Sequence, residues 1–261
     1  MRLLLSLLLL ASGIVAAKVV VAQSPEDRGF EIAIEARRVD HGFTDSSAAL
    51  EMTLRSVHGE SSVRLLRALT LESDDGEKRL LHFDEPADVK GTIMLVYTHK
   101  RQADDQWMYL PSMKRVKRIT SNNKAGPFMG SEFAYEDLGS QEVEKYRYKY
   151  LRDETCSGGE CFVMERYPVD ASSGYARQLL WLDKTEYRPW KIEFYDRRDA
   201  LLKILTLARY ERYLGKYWRS HEMSMKNVQT GKSTVLRWSD YKFRVGLKHG
   251  DLLPQRLADA R

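Results

Sequence analysis

The feature that most restricts the fold of this chain is a long succession of short segments in which apolar and polar side chains alternate. Residues 50–55 show the pattern clearly, and comparable segments follow one another as far as Phe243. A period of two residues is typical of strands that bury one face. The breaks between the segments carry glycine, proline or aspartate, which favour tight turns. Because no helical pattern alternates with the strands, a parallel α/β fold is excluded.

The sequence therefore predicts a mainly β (α+β) fold, with about a dozen antiparallel strands in up-and-down order. The short connections indicate a single domain at 23–261. A helix is predicted over Pro25–Val39, because Pro25 is followed by two acids and then by an apolar side. A second helical piece is predicted within Thr120–Leu138. This set of elements favours a large, strongly curved sheet with helices over its concave side.

Residues 1–22 have the layout of a cleavable signal peptide, because a positive end precedes an apolar run at 3–15 and small residues follow. We expect cleavage after Ala22, with Ala17 as the second choice. The alternative is an uncleaved membrane anchor, since the stretch is nearly long enough to span a bilayer if the charge of Lys18 is tolerated. We favour the cleaved signal and therefore expect an exported, periplasmic protein.

The charge of the chain gives little reason to expect a nucleic-acid partner. The chain has 261 residues, of which 43% are hydrophobic, and its formal net charge is +5. Cleavage of the signal removes Arg2 and Lys18 but no acid, so the net charge falls to +3. That bias is too weak to indicate binding of nucleic acid.

The sequence contains two cysteines, Cys156 and Cys161, with four residues between them. Neither stands at a signal cleavage site, so we expect that the protein is not itself a lipoprotein. In an oxidising compartment the pair is expected to form a disulfide that closes a tight turn. A redox-active pair is disfavoured because the spacing is not C-x-x-C, and a metal site would lack nearby histidines.

The stretch from Gln106 to Leu138 carries the most distinctive side chains. Its first part, QWMYLP, predicts a strand that enters a turn, and the basic segment KRVKRI predicts the returning strand. A polar link then leads to an aromatic segment punctuated by glycine, GPFMGSEFAYEDL. A basic hairpin followed by such a loop indicates the rim of an apolar cavity rather than a catalytic site.

At this stretch the pattern W-x-Y-L-P, then K-R-V-K-R-I, then F-M-G-S-x-F-x-Y-E-D-L resembles the bacterial outer-membrane lipoprotein-sorting proteins of the LolA-like superfamily. The resemblance is to the larger exported branch of that superfamily. Further matching pieces are DVKG at 88–91 and WKIEFYD at 190–196, so it covers most of the chain after residue 22. The resemblance implies an unclosed antiparallel β half-barrel in which a few helices cover a concave apolar face.

The resemblance also implies a function and partners. Its best-known member carries lipoproteins across the periplasm by taking up their acyl chains, and this branch is often encoded near RND-type (MMPL-like) exporters. We therefore expect a monomeric carrier of lipid or lipoprotein cargo that needs no cofactor or metal. Its expected partner is an inner-membrane RND/MMPL-type transporter or an outer-membrane acceptor. The alternative is a non-catalytic envelope sensor or accessory protein of such a transporter.

The side chains expected to line the cavity or its lid come from two parts of the central stretch. They are Trp107, Tyr109, Leu110, Phe128, Met129, Phe133 and Tyr135. On a strand, positions 107 and 109 face one side and 108 and 110 the other, so one of the two sets is expected to line the cavity. For each residue, ordinary core packing is the competing interpretation. The glycines that flank Phe128 and Met129 favour a mobile flap over a core plug.

The charged side chains of the stretch have separate expected roles. Arg115, Lys117 and Arg118 are expected to contact anionic headgroups or an acidic partner, each cation near a membrane contributing about 1 kcal/mol. The alternative is a solvated outer face on which charges discourage edge pairing. Glu136 and Asp137 are expected to be structural, pairing with a nearby arginine or capping a helix start.

Known catalytic patterns are absent from the sequence. The six histidines are scattered and show no metal-binding spacing. There is no G-x-S-x-G, no phosphate-binding loop and no dinucleotide fingerprint. We therefore expect that the protein is not an enzyme.

Overall fold

The computed structural model describes residues 23–120, 123–157 and 159–259. The predicted signal peptide at 1–22, with both candidate cleavage positions, lies outside the described residues. Helix α1 spans Pro25–Asp40, close to the predicted range. Its N-terminus is capped by Ser24, whose hydroxyl accepts a hydrogen bond from the Asp27 amide at 3.0 Å.

Thirteen strands form a single antiparallel sheet in the described part of the chain. The first six are β1 (Asp45–Arg55), β2 (Ser61–Ser73), β3 (Gly76–Glu85), β4 (Ile93–Tyr97), β5 (Asp105–Leu110) and β6 (Arg115–Arg118). The other seven are β7 (Tyr146–Cys156), β8 (Gly159–Pro168), β9 (Tyr175–Asp183), β10 (Pro189–Asp196), β11 (Leu201–Tyr213), β12 (Tyr217–Asn227) and β13 (Ser233–Phe243). The prediction of about a dozen antiparallel strands is confirmed.

The two groups of strands form two meanders that join in the middle of the sheet. The order across the sheet is β6-β5-β4-β3-β2-β1-β13-β12-β11-β10-β9-β8-β7. The join is the pairing of β1 with β13, in which Leu50 lies opposite Trp238 and Met52 opposite Leu236. Strands β6 and β7 are the two edges and do not pair with each other. The sheet is therefore unclosed, and the predicted half-barrel fold is confirmed.

The largest core of the protein lies on the concave face of the sheet, beneath α1. Ile32 and Ala33 of the helix are buried there. The helix lies close against β7, because a Cβ atom added to Gly29 would come within 2.8 Å of the Tyr150 amide nitrogen. Only glycine leaves room for this approach of two backbones. The concave face is thus covered by a helix that is held at a short distance from one edge of the sheet.

A second, smaller core lies on the outer face of β3, β4 and β5. It is covered by the C-terminal segment after β13, whose Leu252 and Leu257 side chains are almost completely buried. This segment contains short 3-10 turns at His249–Asp251 and Pro254–Arg256. Burial of these leucines fixes the segment against the sheet.

The two cysteines lie at the tip of the β7–β8 hairpin. Cys156 and Cys161 are joined by a disulfide, with their Cα atoms 5.9 Å apart. The predicted disulfide is therefore present in the structure. Cys161 is fully buried and packs in a small cluster with Val163 and Trp181. The bridge fixes the end of the hairpin beside this cluster.

Candidate ligand-binding cavity

A cavity of about 490 Å³ lies between α1, the concave face of the sheet and the connection between β6 and β7. Its lining is mostly apolar, with aliphatic and aromatic side chains, and strands β1–β3 and β7–β13 contribute to it. Representative apolar lining residues are Ala48, Leu50, Leu81, Met164, Leu180, Ile192, Leu205, Met225 and Leu236. Long-chain hydrocarbon is the kind of guest that such a surface favours, because it would be removed from water.

Salt bridges hold the C-terminal half of α1 across the cavity. Arg37 donates to Glu77 of β3 at 3.0 Å and to Glu142 at 3.2 Å. Burial alone would lower the pKa of Arg37, but the carboxylates of Glu77 and Glu142 raise it. At the end of the helix, Asp40 forms an ion pair with Arg219 of β12. The helix is therefore fixed to both meanders of the sheet.

Several lining residues at this end of the sheet remain in contact with solvent. They include Val39 at the end of α1, Tyr187 between β9 and β10, and Lys216 between β11 and β12. An opening to the cavity therefore lies where the end of the helix meets these two turns.

The connection between β6 and β7 crosses the concave face and closes the other end of the cavity. Its backbone accepts hydrogen bonds from Arg64 to the Met129 carbonyl at 2.5 Å and from Arg79 to the Leu138 carbonyl at 2.9 Å. The Glu132 amide donates to the Thr234 hydroxyl at 2.9 Å. These bonds reach β2, β3 and β13, so the connection is fastened to both meanders.

The structure places two of the predicted cavity residues on the cavity wall. Phe128 and Phe133 belong to the connection and both line the cavity. Phe128 is fully buried, with its ring centroid 5.9 Å from that of Phe83 and 5.5 Å from that of Tyr135. In this conformation Phe128 therefore packs as a core plug rather than as an exposed flap.

The other five predicted residues lie elsewhere. Leu110, Met129 and Tyr135 pack against the concave core without lining the cavity. Trp107 and Tyr109 lie on the outer face of β5, in the core covered by the C-terminal segment. The alternation along β5 was predicted, but both faces are apolar because both are covered.

The three predicted contact cations lie on the edge strand β6 and are exposed. Arg115 and Lys117 are paired with Leu110 and Met108 of β5, which places them on the concave side. Arg118 lies on the outer side and forms an ion pair with Asp105.

The two acids of the connection have structural contacts, as expected. Asp137 caps the backbone by accepting from the Ala134 amide at 2.7 Å, and it pairs with a lysine, Lys203, rather than with an arginine. Glu136 accepts from the Ser173 hydroxyl at 2.7 Å and from the Gly174 amide at 2.9 Å. Burial, followed by the charge of Asp137, raises the pKa of Glu136.

The polar lining residues that the sequence analysis missed include Arg166, Trp218 and Trp238. Arg166 of β8 is buried in the cavity wall, and the indole nitrogens of Trp218 and Trp238 are buried without a hydrogen-bond partner among the described residues. The sequence did contain a signal for Arg166. It follows Met164 by two residues, so both side chains lie on the same, apolar face of the strand. A charged residue among apolar residues that face the interior indicates a buried charge that needs a polar or charged partner.

Two further searches of the structure concern metals and membranes. In residues 23–120, 123–157 and 159–259, no three or more histidine, cysteine or acidic side chains are grouped as they would be to hold a metal ion. Over the same ranges, no helix combines the length and apolar character that crossing a bilayer requires.

Comparison with known proteins identifies the family. A family model whose description reads only "uncharacterized protein" matches residues 75–258. The crystal structure of an outer-membrane lipoprotein-sorting protein domain from Vibrio parahaemolyticus is 54% identical in sequence, and the match covers 89% of this chain and 99% of that domain with a TM-score of 0.88. The chain belongs to the outer-membrane lipoprotein-sorting protein family.

Other solved structures agree with this family membership. A DUF1329 family protein from Desulfovibrio piger is 30% identical, with 88% of this chain and 100% of that chain covered and a TM-score of 0.83. A LolA superfamily protein from Nitrosomonas europaea shares the fold at 22% identity, with a TM-score of 0.69 over 85% of this chain and 96% of its own. No curated protein matches this lipoprotein-sorting family member in sequence.

Proposed function

We propose that this protein is a carrier that shelters the acyl chains of a lipid or lipoprotein in the cavity under α1 and passes them to a partner in the envelope. The observation that carries the proposal is the cavity of about 490 Å³ with its largely apolar wall. Its volume falls within the range of about 300–1,000 Å³ that is typical of ligand sites. Each methylene group buried there contributes about 0.8 kcal/mol to binding.

The carrier works without a chemical step or a cofactor. An acyl chain enters where the end of α1 meets the turns before β10 and β12, and burial of its hydrocarbon holds it. The indole N–H groups of Trp218 and Trp238 provide unused donors in the wall for ester or amide oxygens of the cargo. Exposed Arg115 and Lys117 on the edge strand β6 supply positive charge for anionic headgroups.

The proposed place of action is the periplasm, reached by a signal peptide at 1–22, with the mature protein acting as a monomer. Family membership supports this location, and the similar protein from Vibrio parahaemolyticus is described as a lipoprotein-sorting domain. An inner-membrane RND/MMPL-type transporter or an outer-membrane acceptor is the proposed partner. Such a partner would receive cargo when the cover of the cavity, formed by α1 and the connection between β6 and β7, opens.

The test uses two matched substitutions on neighbouring residues of β1. Ala48 lines the cavity opposite Ala68 of β2, so Ala48→Phe fills the space that an acyl chain needs. Ala49 faces the outer side, and Ala49→Phe adds the same side chain away from the cavity. Native mass spectrometry is applied to each protein purified from periplasm without detergent, followed by lipid extraction.

We expect a discrete lipid or lipoprotein to accompany the wild-type protein and Ala49→Phe, and to be lost from Ala48→Phe. A transfer assay between two membranes should give the same ranking. A wild-type protein that stays empty after incubation with membranes would contradict carriage. That result would favour the alternative of an envelope sensor or accessory protein, which binds a protein domain stably and transfers nothing.

A further inference from the structure

Arg166 places a positive charge inside the cavity wall without a counter-ion. Its side chain lies on the concave face of β8, and the residue is only 6% exposed. The Nε atom donates to the Gln178 side-chain oxygen at 2.7 Å, and the guanidinium carbon lies 4.4 Å from the centre of the Tyr146 ring. In the described part of the chain no carboxylate comes within 4.0 Å of its nitrogens, and Nη1 and Nη2 make no hydrogen bond.

The other arginines of the cavity wall are compensated. Arg37 pairs with Glu77 and Arg188 with Asp183, in each case at 3.0 Å or less. Arg79 pairs with Glu77 at 3.5 Å, and Arg219 pairs with a carboxylate at the end of α1. Arg166 therefore differs from these four in kind, because its partners are a neutral amide and an aromatic ring.

Two other oxygen-bearing side chains of the cavity wall, Tyr148 and Asp137, are engaged elsewhere. The Tyr148 hydroxyl, on the adjacent strand, donates to the Val143 carbonyl at 3.2 Å. The Asp137 carboxylate, which also lines the cavity, is bonded to Lys203, to Tyr175 and to the Ala134 amide. Rearrangement within the wall would have to break these contacts before it could neutralise the guanidinium.

An isolated buried charge is costly unless it is paired and hydrogen-bonded. The two free nitrogens of a guanidinium match the two oxygens of a carboxylate or phosphate in a bidentate pair. The natural complement of Arg166 is therefore an anion that reaches it from within the cavity.

We infer that Arg166 anchors the anionic head of a single-chain amphiphile, a carboxylate or phosphate monoester, whose hydrocarbon chain fills the cavity. This inference rests on the proposed function and narrows its cargo to one class. The cavity of about 490 Å³ lies within the range of about 300–1,000 Å³ that is typical of sites for one small-molecule ligand, and a single-chain amphiphile is a ligand of that class.

The test compares ligands that differ only in the head, by displacement of a fluorescent fatty-acid probe at pH 8. The ligands are palmitate, hexadecyl phosphate and uncharged hexadecanol, with inorganic phosphate as the head alone. For the wild-type protein we expect the two anionic amphiphiles to bind at least about tenfold more tightly than hexadecanol, as charge-assisted hydrogen bonds imply. Inorganic phosphate should not displace the probe.

The matched variants are Arg166→Met and Arg147→Met. Arg147 is exposed on the outer face of the neighbouring strand β7, so its replacement removes the same charge away from the cavity. We expect Arg166→Met to lose the preference for the anionic ligands while hexadecanol binds as before. Arg147→Met should keep the wild-type preference. If Arg166→Met does not fold, the comparison of ligands on the wild-type protein still decides the question.

Each remaining outcome separates this inference from the proposed function. Equal binding of palmitate and hexadecanol by the wild-type protein would show that Arg166 does not anchor an anionic head. The proposed function, a carrier of acyl chains, would still stand. A preference that survives in a folded Arg166→Met protein would also overturn the role of Arg166 as anchor. Displacement by inorganic phosphate would indicate a small-anion site instead of an amphiphile site. If no ligand displaces the probe, or the probe itself does not bind, both the anchor and the proposed function fail.

Discussion

The ammonium group of Lys203 lies 2.7 Å from the carboxylate of Asp137, and both side chains are more than nine-tenths buried. Lys203 is on β11, and Asp137 is on the connection that crosses the concave face. The same ammonium group also donates to the Glu132 carbonyl at 2.9 Å. This one lysine thus holds two points of the connection, and with it the end wall of the cavity.

Asp137→Asn should therefore destabilise the protein strongly. The substitution keeps the size of the side chain but leaves Lys203 buried without a counter-ion, which costs about 3–5 kcal/mol. The free energy of unfolding in urea measures the loss. The control is Glu51→Gln, which removes the carboxylate of an exposed pair with Arg237 and should cost no more than about 1 kcal/mol. Equal losses of unfolding free energy for the two substitutions would mean that the buried pair contributes no more to stability than the exposed pair.

Phe128→Ala tests whether this side chain is a core plug. A fully buried phenylalanine contributes about 3–5 kcal/mol when its loss leaves a cavity. The neighbouring substitution Met129→Ala should cost clearly less, because Met129 is only partly buried. Thermal unfolding of both variants gives the comparison. A small effect at Phe128, with loss of lipid retention, would instead support the mobile flap.

Gly29→Ala should lower stability, although alanine is normally better than glycine inside a helix by about 0.5–1 kcal/mol. The added methyl group would lie 2.8 Å from the Tyr150 nitrogen and 2.9 Å from the Lys149 nitrogen, so α1 must move away from β7. Glu31→Ala, at an exposed position of the same helix, should change little. A rise in melting temperature for Gly29→Ala would show that the helix is not held this closely.

His99 should make stability depend on pH. Its ring nitrogens lie 2.7 Å from Asp75 and 3.1 Å from Asp105. Burial lowers the pKa of His99, but the two carboxylates outweigh burial and raise it above its ordinary value of 6.5. A raised pKa means that the folded protein binds the proton more tightly than the unfolded chain does.

The stabilising contribution of His99 is therefore complete below about pH 6.5 and is lost as the pH rises through the raised pKa. We expect the difference in unfolding free energy between wild type and His99→Gln to be largest near pH 6 and to shrink towards pH 8. Urea unfolding across this range measures it. A difference that stays constant with pH would contradict the assignment.

Local patterns predicted most of the elements correctly. Helix α1 was predicted to within one residue at its C-terminus, because proline and acids mark its start and glycine follows its end. The alternating segment at 50–55 lies inside strand β1. These features depend on neighbouring residues, which a sequence displays directly.

Features that depend on distant contacts were harder to predict. Alternation separates Trp107 and Tyr109 from Met108 and Leu110, but it does not tell which set faces the cavity. The deciding contact comes from Leu252 and Leu257, more than a hundred residues away, which cover the outer face of β5. The role of Arg166 was hidden for a similar reason, since only the folded sheet reveals which acids are too far away to pair with it.

The order of the strands has a consequence for the topology of the whole molecule. Because β1 lies beside β13, a circularly permuted chain that began at Tyr146 and ran through β13 into β1 would trace the sheet as one unbroken zigzag. In the natural chain the connection between β6 and β7 joins the two ends of that path, and it therefore links the two edge strands of the sheet. Separation of the two edge strands would therefore stretch the segment that carries Phe128. Widening of the sheet and withdrawal of the Phe128 side chain from the core would then occur together.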